Sequence, residues 1–325
     1  MKIFLLIALC SGLGVTSFSQ AAVYPDSFVV AKDGSGNFST IKEAINAVRD
    51  LSQKRVRILI RPGVYKEKLV IPSWKTNISL IGENAETTII TNADFSGKPF
   101  PGILDPLIKD KFSTFNSFTV LVQGNDFAAE NLTIENTAGR VGQAVALHVE
   151  GNRAVIRHCR LLGNQDTLYV ADSGSRQLYD DCLIAGTTDF IFGEATVVFN
   201  RCTIKSLSNS FITAASTRPG QEFGFVFLDC KLVADTGAQK VFLGRPWRPY
   251  AKTVFIDTEM GAHIVPAGWD NWRNPENEKT VLYAEYNSTS AGGQKAGRVK
   301  WSRQLTSKQR RIYTIKNVLK FDPSL

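Results

Sequence analysis

The sequence predicts an all-β chain wound as a parallel β-solenoid with a short N-terminal capping helix, and three observations carry that prediction. Beyond residue 120 a short unit recurs, opened by a Cys or Asn that follows a polar residue: EN-LTIENT at Asn131, HC-RLLGNQD at Cys159, DC-LIAGTTD at Cys182, RC-TIKSLSN at Cys202 and DC-KLVADTG at Cys230. Successive copies lie 28, 23, 20 and 28 residues apart, too short for βαβ units and right for one solenoid turn. Within each copy Val, Ile, Leu and Phe form short runs separated by Gly, Asn and Asp, the pattern of strand and turn.

In chain order, residues 1–19 carry the charge, apolar core and cleavage parts of a secretory signal peptide: Lys2, the run Ile3 to Leu9, and small residues ending near Ser17-Phe18-Ser19. The mature chain is expected to start near Gln20, in a secreted protein or, in a bacterial host, a periplasmic one. Ile3 to Val15, broken by Gly12 and Gly14, is too short to span a bilayer, which takes roughly 20 apolar residues. Leu9 stands where a lipid-modified Cys10 would need a small residue. Residues 20–325 read as one domain, because no Pro/Ser/Gly-rich linker or long charge run divides them. Ser39-Thr40 followed by Glu43 forms a capping box, which places the helix directly after Thr40.

The 325 residues are 43% apolar and 21% charged, a composition that excludes a disordered chain and permits a substantial core. Only Lys2 of the leader is charged, so nearly all of the +8 formal charge stays on the exported protein and favours encounter with a polyanion. Export argues against nucleic acid and no basic amphipathic helix points to a membrane, which leaves an acidic polysaccharide as the expected partner. A monomer is the default state.

Aligning the copies at Cys159 and Cys182 matches Gly163 with Gly186 and Asp166 with Asp189. Stacked in that register, the two carboxylates lie on adjacent turns about 5 Å apart, the spacing of neighbouring strands. Two carboxylates so close resist joint ionisation, so one is expected to keep a raised pKa and act as a proton donor. The plainer reading is a pair of solvated turn residues. Against it, each Asp opens an apolar stretch, Thr167-Leu168-Tyr169-Val170 or Phe190-Ile191-Phe192, and Gln165 sets an amide beside the first. The repeat itself demands no acid there, since Asn209 stands at the same offset from Cys202.

Cys159, Cys182, Cys202 and Cys230 share one repeat position, which predicts an inward stack of small apolar side chains. In an oxidising compartment adjacent turns are close enough to bridge, and Cys182 with Cys202 is the expected disulfide. A zinc site is not expected, because there is no CxxC pair and His148, His158 and His263 lack ligand spacing. No G-x-S-x-G marks a serine esterase. Asn37, Asn77, Asn131 and Asn287 open N-x-S/T sequons, of which Asn131, inside a repeat, is expected to be buried.

The segments GNQDTLY at Gly163 to Tyr169, GTTDFIFG at Gly186 to Gly193 and LGRPW at Leu243 to Trp247 closely resemble the signature blocks of pectin methylesterases. Supporting similarity runs from DGSGNFSTIKEAI at Asp33 through RPGVYKE and GQAVALHV to PAGWDNW and YAEYNSTSAGG, covering nearly the whole mature chain. The resemblance implies a right-handed parallel β-helix with a long cleft on one sheet, acting on methyl-esterified pectin with no metal or organic cofactor. By position, Asp189 would be the nucleophile, Asp166 the general acid and base, and Gln143 and Gln165 the amide donors of an oxyanion hole. Arg245 would pair with Asp189 and face the substrate, and Trp247 would form part of the floor under the sugar. Trp272 is a further cleft residue by this reading, and Trp269 is given no place in the cleft. Thr188, where the family commonly has Val, would change a cleft wall. An inhibitory pro-region of the kind found in many plant members is not expected.

Chemically, a guanidinium beside Asp189 is expected to lower its pKa by about 1 to 3 units, which leaves the shared proton to Asp166. A glycosidase that cuts the polymer is the nearest rival, because carboxylates at this spacing also suit a retaining mechanism. A lyase would usually need a compact acidic Ca²⁺ cluster that the sequence lacks. A non-catalytic binding solenoid would be expected to have lost Asp166, Asp189 or Arg245, and all three are present.

Overall fold

The computed structural model describes residues 24–101 and 110–324, so the expected signal peptide lies outside the described residues. The described residues wind through three sheets of eleven, eight and seven strands, with neighbouring strands parallel. Seven successive turns, between Val56 and Pro246, each give one strand to each sheet in fixed order. Ala154–Arg157, Arg160–Leu162 and Leu168–Val170 make one turn, and Arg176–Asp180, Leu183–Gly186 and Ile191–Gly193 make the next. This is the predicted parallel β-helix.

The turn from the first strand to the second is a single sharp corner. Asn131, His158, Asp181, Arg201, Asp229, Asp257 and Asn287 all occupy it with φ between 49° and 54°. Asn and Asp tolerate this left-handed conformation best, which explains the polar residue ahead of each repeat. The structure shifts the first copy by one position. Thr133 pairs with Arg160, so Leu132, not Asn131, stands level with Cys159, and Asn131 takes the corner, where it is half-buried. The physical reason is that Asn suits both places, so its identity does not separate a corner from an inward position.

Immediately after the corner, the cysteines point inward. All four are buried and free, and the bridge expected between Cys182 and Cys202 is not formed. The Cys202 thiol is turned instead to the backbone, donating to the carbonyls of Tyr179 at 3.4 Å and Asn200 at 3.5 Å. Deeper in the solenoid a ladder of rings follows the strand register, Tyr179, Phe199, Phe227 and Phe255, stacked at 5.1, 4.4 and 4.3 Å between centroids. Register alone produces such a ladder, since a parallel pairing sets identical inward positions directly above one another.

The two ends of the chain pack on the coil differently. At the N-terminal end sits helix α1, Ile41–Ala47, with the predicted capping box: Thr40 accepts from the Glu43 amide at 3.2 Å and Glu43 accepts from the Thr40 amide at 3.3 Å. Ile41, Ala44 and Ile45 are its buried face. At the other end the chain doubles back through α2, Ser307–Arg310, and α3, Ile315–Leu319. There Tyr313, Val318 and Leu319 cover the outer face of the eleven-stranded sheet at Val155, Leu178, Val198, Val226 and Val254. Among the described residues no helix is long and apolar enough to cross a membrane.

Candidate active site

The outer face of the seven-stranded sheet carries the residues that the repeat alignment singled out. Leu168 pairs with Ile191, so Asp166 and Asp189, each two residues earlier, occupy equivalent places on neighbouring turns. Both are left-handed, at φ 64° and 49°, so each does stand on a corner, directly ahead of its strand. The two residues are nevertheless only 8% and 5% exposed, which is not the fate of a solvated turn residue. The Asp166 amide donates to the Thr188 carbonyl at 3.1 Å and the Asp189 amide to the Phe211 carbonyl at 2.8 Å, fixing both corners to the next turn.

Arg245 reaches Asp189 from the strand Phe242–Pro246. Its Nε and Nη2 donate to Oδ1 at 2.9 Å and Oδ2 at 2.6 Å, a bidentate pair of the strongest hydrogen-bonding kind. The guanidinium lies over two aromatic rings, its Cζ 4.0 Å from the Phe211 centroid and 3.7 Å from that of Trp272. Burial pushes the Asp166 carboxyl up to about 8, the charge of Asp189 adds to the effect and Arg245 opposes it. Burial also raises Asp189, against the hydrogen bonds and charge of Arg245, with Asp270 adding slightly to the rise. The expectation that Arg245 would leave Asp189 below the usual carboxylate range is thus corrected: desolvation at a closed site outweighs one guanidinium. The division of labour survives, because only Asp189 is bonded to the cation.

Gln143 and Gln165 form a parallel bridge on adjacent turns, with the Ala144 amide donating to the Gln165 carbonyl at 3.1 Å. Both line the same hollow as Asp166, Asp189, Arg245, Trp247 and Trp272, so the structure brings together every residue expected in the acid, amide and aromatic sets. Tyr169 and Phe192 stack at 4.5 Å with an interplanar angle of 7° and make the apolar floor beside Trp247. Phe190, which opens the apolar stretch after Asp189, is fully buried in the solenoid. Trp269 is also core, 1% exposed and stacked on Tyr283. Thr188 is half-buried and does not line this hollow; its hydroxyl accepts from Ser210 Oγ at 2.8 Å.

Thr114, Phe115 and Ala214 also line the hollow, and sequence reasoning does not reach them. Phe115 sits 5.5 Å from Tyr169 and comes from the short 3₁₀ turn Thr114–Asn116 ahead of the repeats, where no periodicity marks it. Ala214 follows Thr213, which pairs with Ile191 in the register, so strand pairing could have located it. Among the described residues no group of His, Cys, Asp or Glu is arranged to hold a metal ion.

Residues 27–322 match the family model described as Pectinesterase. The chain is 38% identical over 278 residues to Pectinesterase 31 of Arabidopsis thaliana, covering 85% of this chain and 86% of that protein. It superposes on the pectin methylesterase from carrot with a TM-score of 0.83 at 36% identity, covering 93% of this chain and 95% of that one. Against a pectin methylesterase in complex with hexasaccharide VII the TM-score is 0.80 at 32% identity, covering 94% and 100%. The chain spans about half the length of relatives named pectinesterase/pectinesterase inhibitor, 51% in Brassica napus and Ficus pumila.

Proposed function

The chain belongs to the pectinesterase family and is a carboxylic ester hydrolase that de-esterifies pectin, and from that premise we propose how its own residues do so. Asp189 is the nucleophile, Asp166 the general acid and then base, Gln143 and Gln165 the oxyanion donors, and Arg245 the group that orients Asp189. The observation that carries this assignment is the bidentate Arg245–Asp189 pair beside a second buried carboxyl whose pKa is pushed up to about 8.

A carboxylate is a weak nucleophile, so it must be aimed and its product intermediate stabilised. Arg245 holds both oxygens of Asp189 in one plane, with the residue anchored at its corner by the Phe211 carbonyl. Attack on the C6 carbonyl of a methylated galacturonate builds negative charge on the carbonyl oxygen, which the side-chain amides of Gln143 and Gln165 receive. One such donor is worth about 3 kcal/mol. As the C–O bond to the methoxy group breaks, protonated Asp166 gives up its proton and methanol leaves, with Asp189 now acylated as an anhydride. Ionised Asp166 then takes a proton from water, whose oxygen attacks the acyl carbon. Collapse frees the galacturonate carboxyl and returns Asp189 as a carboxylate.

The substrate is methyl-esterified pectin, and the net charge of +8 suits a polymer that becomes more acidic as it is processed. The protein acts outside the cell as a monomer, after removal of residues 1–19; the mass of the exported chain reads the cleavage point, and light scattering the oligomeric state. The deciding assay is methanol release from highly methylated pectin, with viscosity followed in parallel, for the native chain and Asp189→Ala. Methanol at nearly constant viscosity, reduced about 10³-fold or more in Asp189→Ala, is the expected result. A rapid fall in viscosity would instead assign polymer cleavage to the dyad.

A further inference from the structure

The dyad lies on the seven-stranded sheet, and the outer face of the eleven-stranded sheet is a separate surface that is only partly covered. The C-terminal segment packs over Val155, Leu178, Val198, Val226 and Val254, and at its margin Arg157 donates to the Pro323 carbonyl. In the other direction the same row of the register runs from Val155 to Ala128, Ser79 and Arg57. Ser79 and Ala128 are too small to fill their places, which leaves a hollow of about 150 Å³ whose walls include Arg55, Arg57, Glu130 and Arg157.

The charges around this hollow do not balance. Arg55 is half-buried, and its Nη1 donates to the Ser79 hydroxyl at 3.0 Å; neither it nor the exposed Arg57 makes an ion pair among the described residues. Arg157 Nε reaches Asp180 only at 3.9 Å, and Asp180 Oδ1 already accepts from Asn200 and Arg201, each at 2.7 Å. Asp126, the nearest acid to Arg55, accepts from Arg153 Nε at 2.7 Å and Nη2 at 2.6 Å. Glu130 is the one carboxylate in the wall, and its Oε1 lies 3.8 Å from His158 Nδ1. Burial holds the Arg55 guanidinium below its ordinary value; Asp126 opposes this, and the charges of Arg57 and Arg157 add to it. Three guanidiniums thus face one carboxylate, an arrangement that an incoming anion relieves.

The shape selects the anion. A hollow of this size is smaller than pockets that enclose a sugar-sized ligand, so it receives a charged group and leaves the rest of the ligand outside. Arg57 and Arg157 stand on strands three steps apart in the sheet, a backbone separation of about 14 Å. A single small anion does not reach both sides, whereas a chain with a carboxylate on every unit does. Guanidinium is the group best matched to carboxylate, through two parallel hydrogen bonds.

We propose that this arginine hollow is an anchoring site for de-esterified polymer, in which Arg55, Arg57 and Arg157 bind the free carboxylates of a polygalacturonate stretch on a sheet that takes no part in catalysis. The proposal rests on pectin de-esterification by this chain, whose product is the polyanion bound. Its consequence is retention: the enzyme's own product holds it on the polymer and raises the local concentration of esters still to be cleaved.

The test compares the native chain with Arg57→Gln, Arg55→Gln/Arg57→Gln and Lys295→Gln/Lys300→Gln, the last removing the same charge from another exposed place. Calorimetric titration with ester-free oligogalacturonate is expected to show a binding event in addition to that of the groove. In Arg55→Gln/Arg57→Gln its affinity falls about 10-fold, the joint worth of two partly exposed ion pairs, and in Arg57→Gln about 3-fold. Both variants elute from immobilised polygalacturonate at lower salt than the native chain, while kcat and KM for a short, fully methylated oligogalacturonate stay unchanged. A single binding event that the arginine variants leave intact overturns the proposal. So does an equal weakening in Lys295→Gln/Lys300→Gln, which would make net charge the cause, or a matching loss of kcat/KM on the short substrate, which would place the effect in the groove. The titration needs no turnover, so it decides the anchoring site even if the catalytic assignment of Asp189 fails.

Discussion

Asp166 and Asp189 are chemically identical and are made different by one neighbour. Both are buried, yet only Asp189 is bonded by Arg245, and Asp166 is pushed up to about 8. The catalytic consequence is an alkaline limit. As pH rises through about 8, Asp166 loses the proton that departing methoxide needs, so initial rates of methanol release are expected to fall there. A profile still flat at about pH 10 would contradict the role. The raised carboxyl also bears on stability, with the opposite sign from an ion-paired carboxylate. A folded-state pKa above the unfolded one favours the native protein fully below the unfolded value near 3.9, and that contribution is lost as pH rises toward about 8. Asp166→Asn, which cannot ionise, is therefore expected to be inactive yet more stable than the native chain at neutral and alkaline pH. The gain is more than about 1 kcal/mol, a tenfold change in an ionisation constant on folding being worth about 1.4 kcal/mol, and it vanishes near pH 4. Thermal unfolding of both proteins across pH checks it.

At the scale of elements, the catalytic corners depend on glycines where neighbouring turns touch. A Cβ on Gly186 would come within 2.2 Å of Phe190 Cβ and 2.7 Å of the Asn164 carbonyl oxygen. Gly186→Ala is expected to cost about 1 to 3 kcal/mol of overpacking and, by pushing on Phe190, to displace the adjoining Asp189. Stability in denaturant and the rate of methanol release should therefore fall together. Helix α1 offers a contrast far from the chemistry. Thr40→Ala removes one half of the capping box and should cost about 1 kcal/mol with kcat unaltered. The repeat units themselves are legible from the Cys spacing because parallel register reproduces the same inward position on every turn. The first unit sits one residue away from where that spacing puts it, since an inward Asn and a corner Asn look alike in a sequence and Asn131 is the corner kind.

On the scale of the whole molecule, stability comes from stacking and coverage, with the four described cysteines all free. Dithiothreitol is accordingly expected to leave the melting temperature unchanged, and a drop of several degrees would restore the Cys182–Cys202 bridge. The returning C-terminal segment is the larger structural contribution. Leu319 is fully buried against the eleven-stranded sheet, and Leu319→Ala should cost about 2 to 5 kcal/mol, read as a lowered unfolding midpoint. At long range the charge of +8 draws in an acidic polymer, so KM should rise with ionic strength as the field is screened.

The repeat, the pairing of Asp166 with Asp189 on adjacent turns, the capping helix and the family are all legible in the residue order, because each is written in local spacing or in contiguous motifs. Fold and dyad geometry both follow from register, which a period discloses. Contacts between segments far apart in the chain came from folding in three dimensions. Folding brought Phe115 from the 3₁₀ turn Thr114–Asn116 to Tyr169, turned Thr188 toward Ser210, and left the four cysteines buried and unbridged, with the Cys202 thiol on backbone carbonyls. It closed the site tightly enough that burial outweighs Arg245 at Asp189, and it laid the C-terminal segment over the eleven-stranded sheet. Each of these depends on desolvation or on contacts between non-repeating elements, and no one-dimensional pattern encodes either.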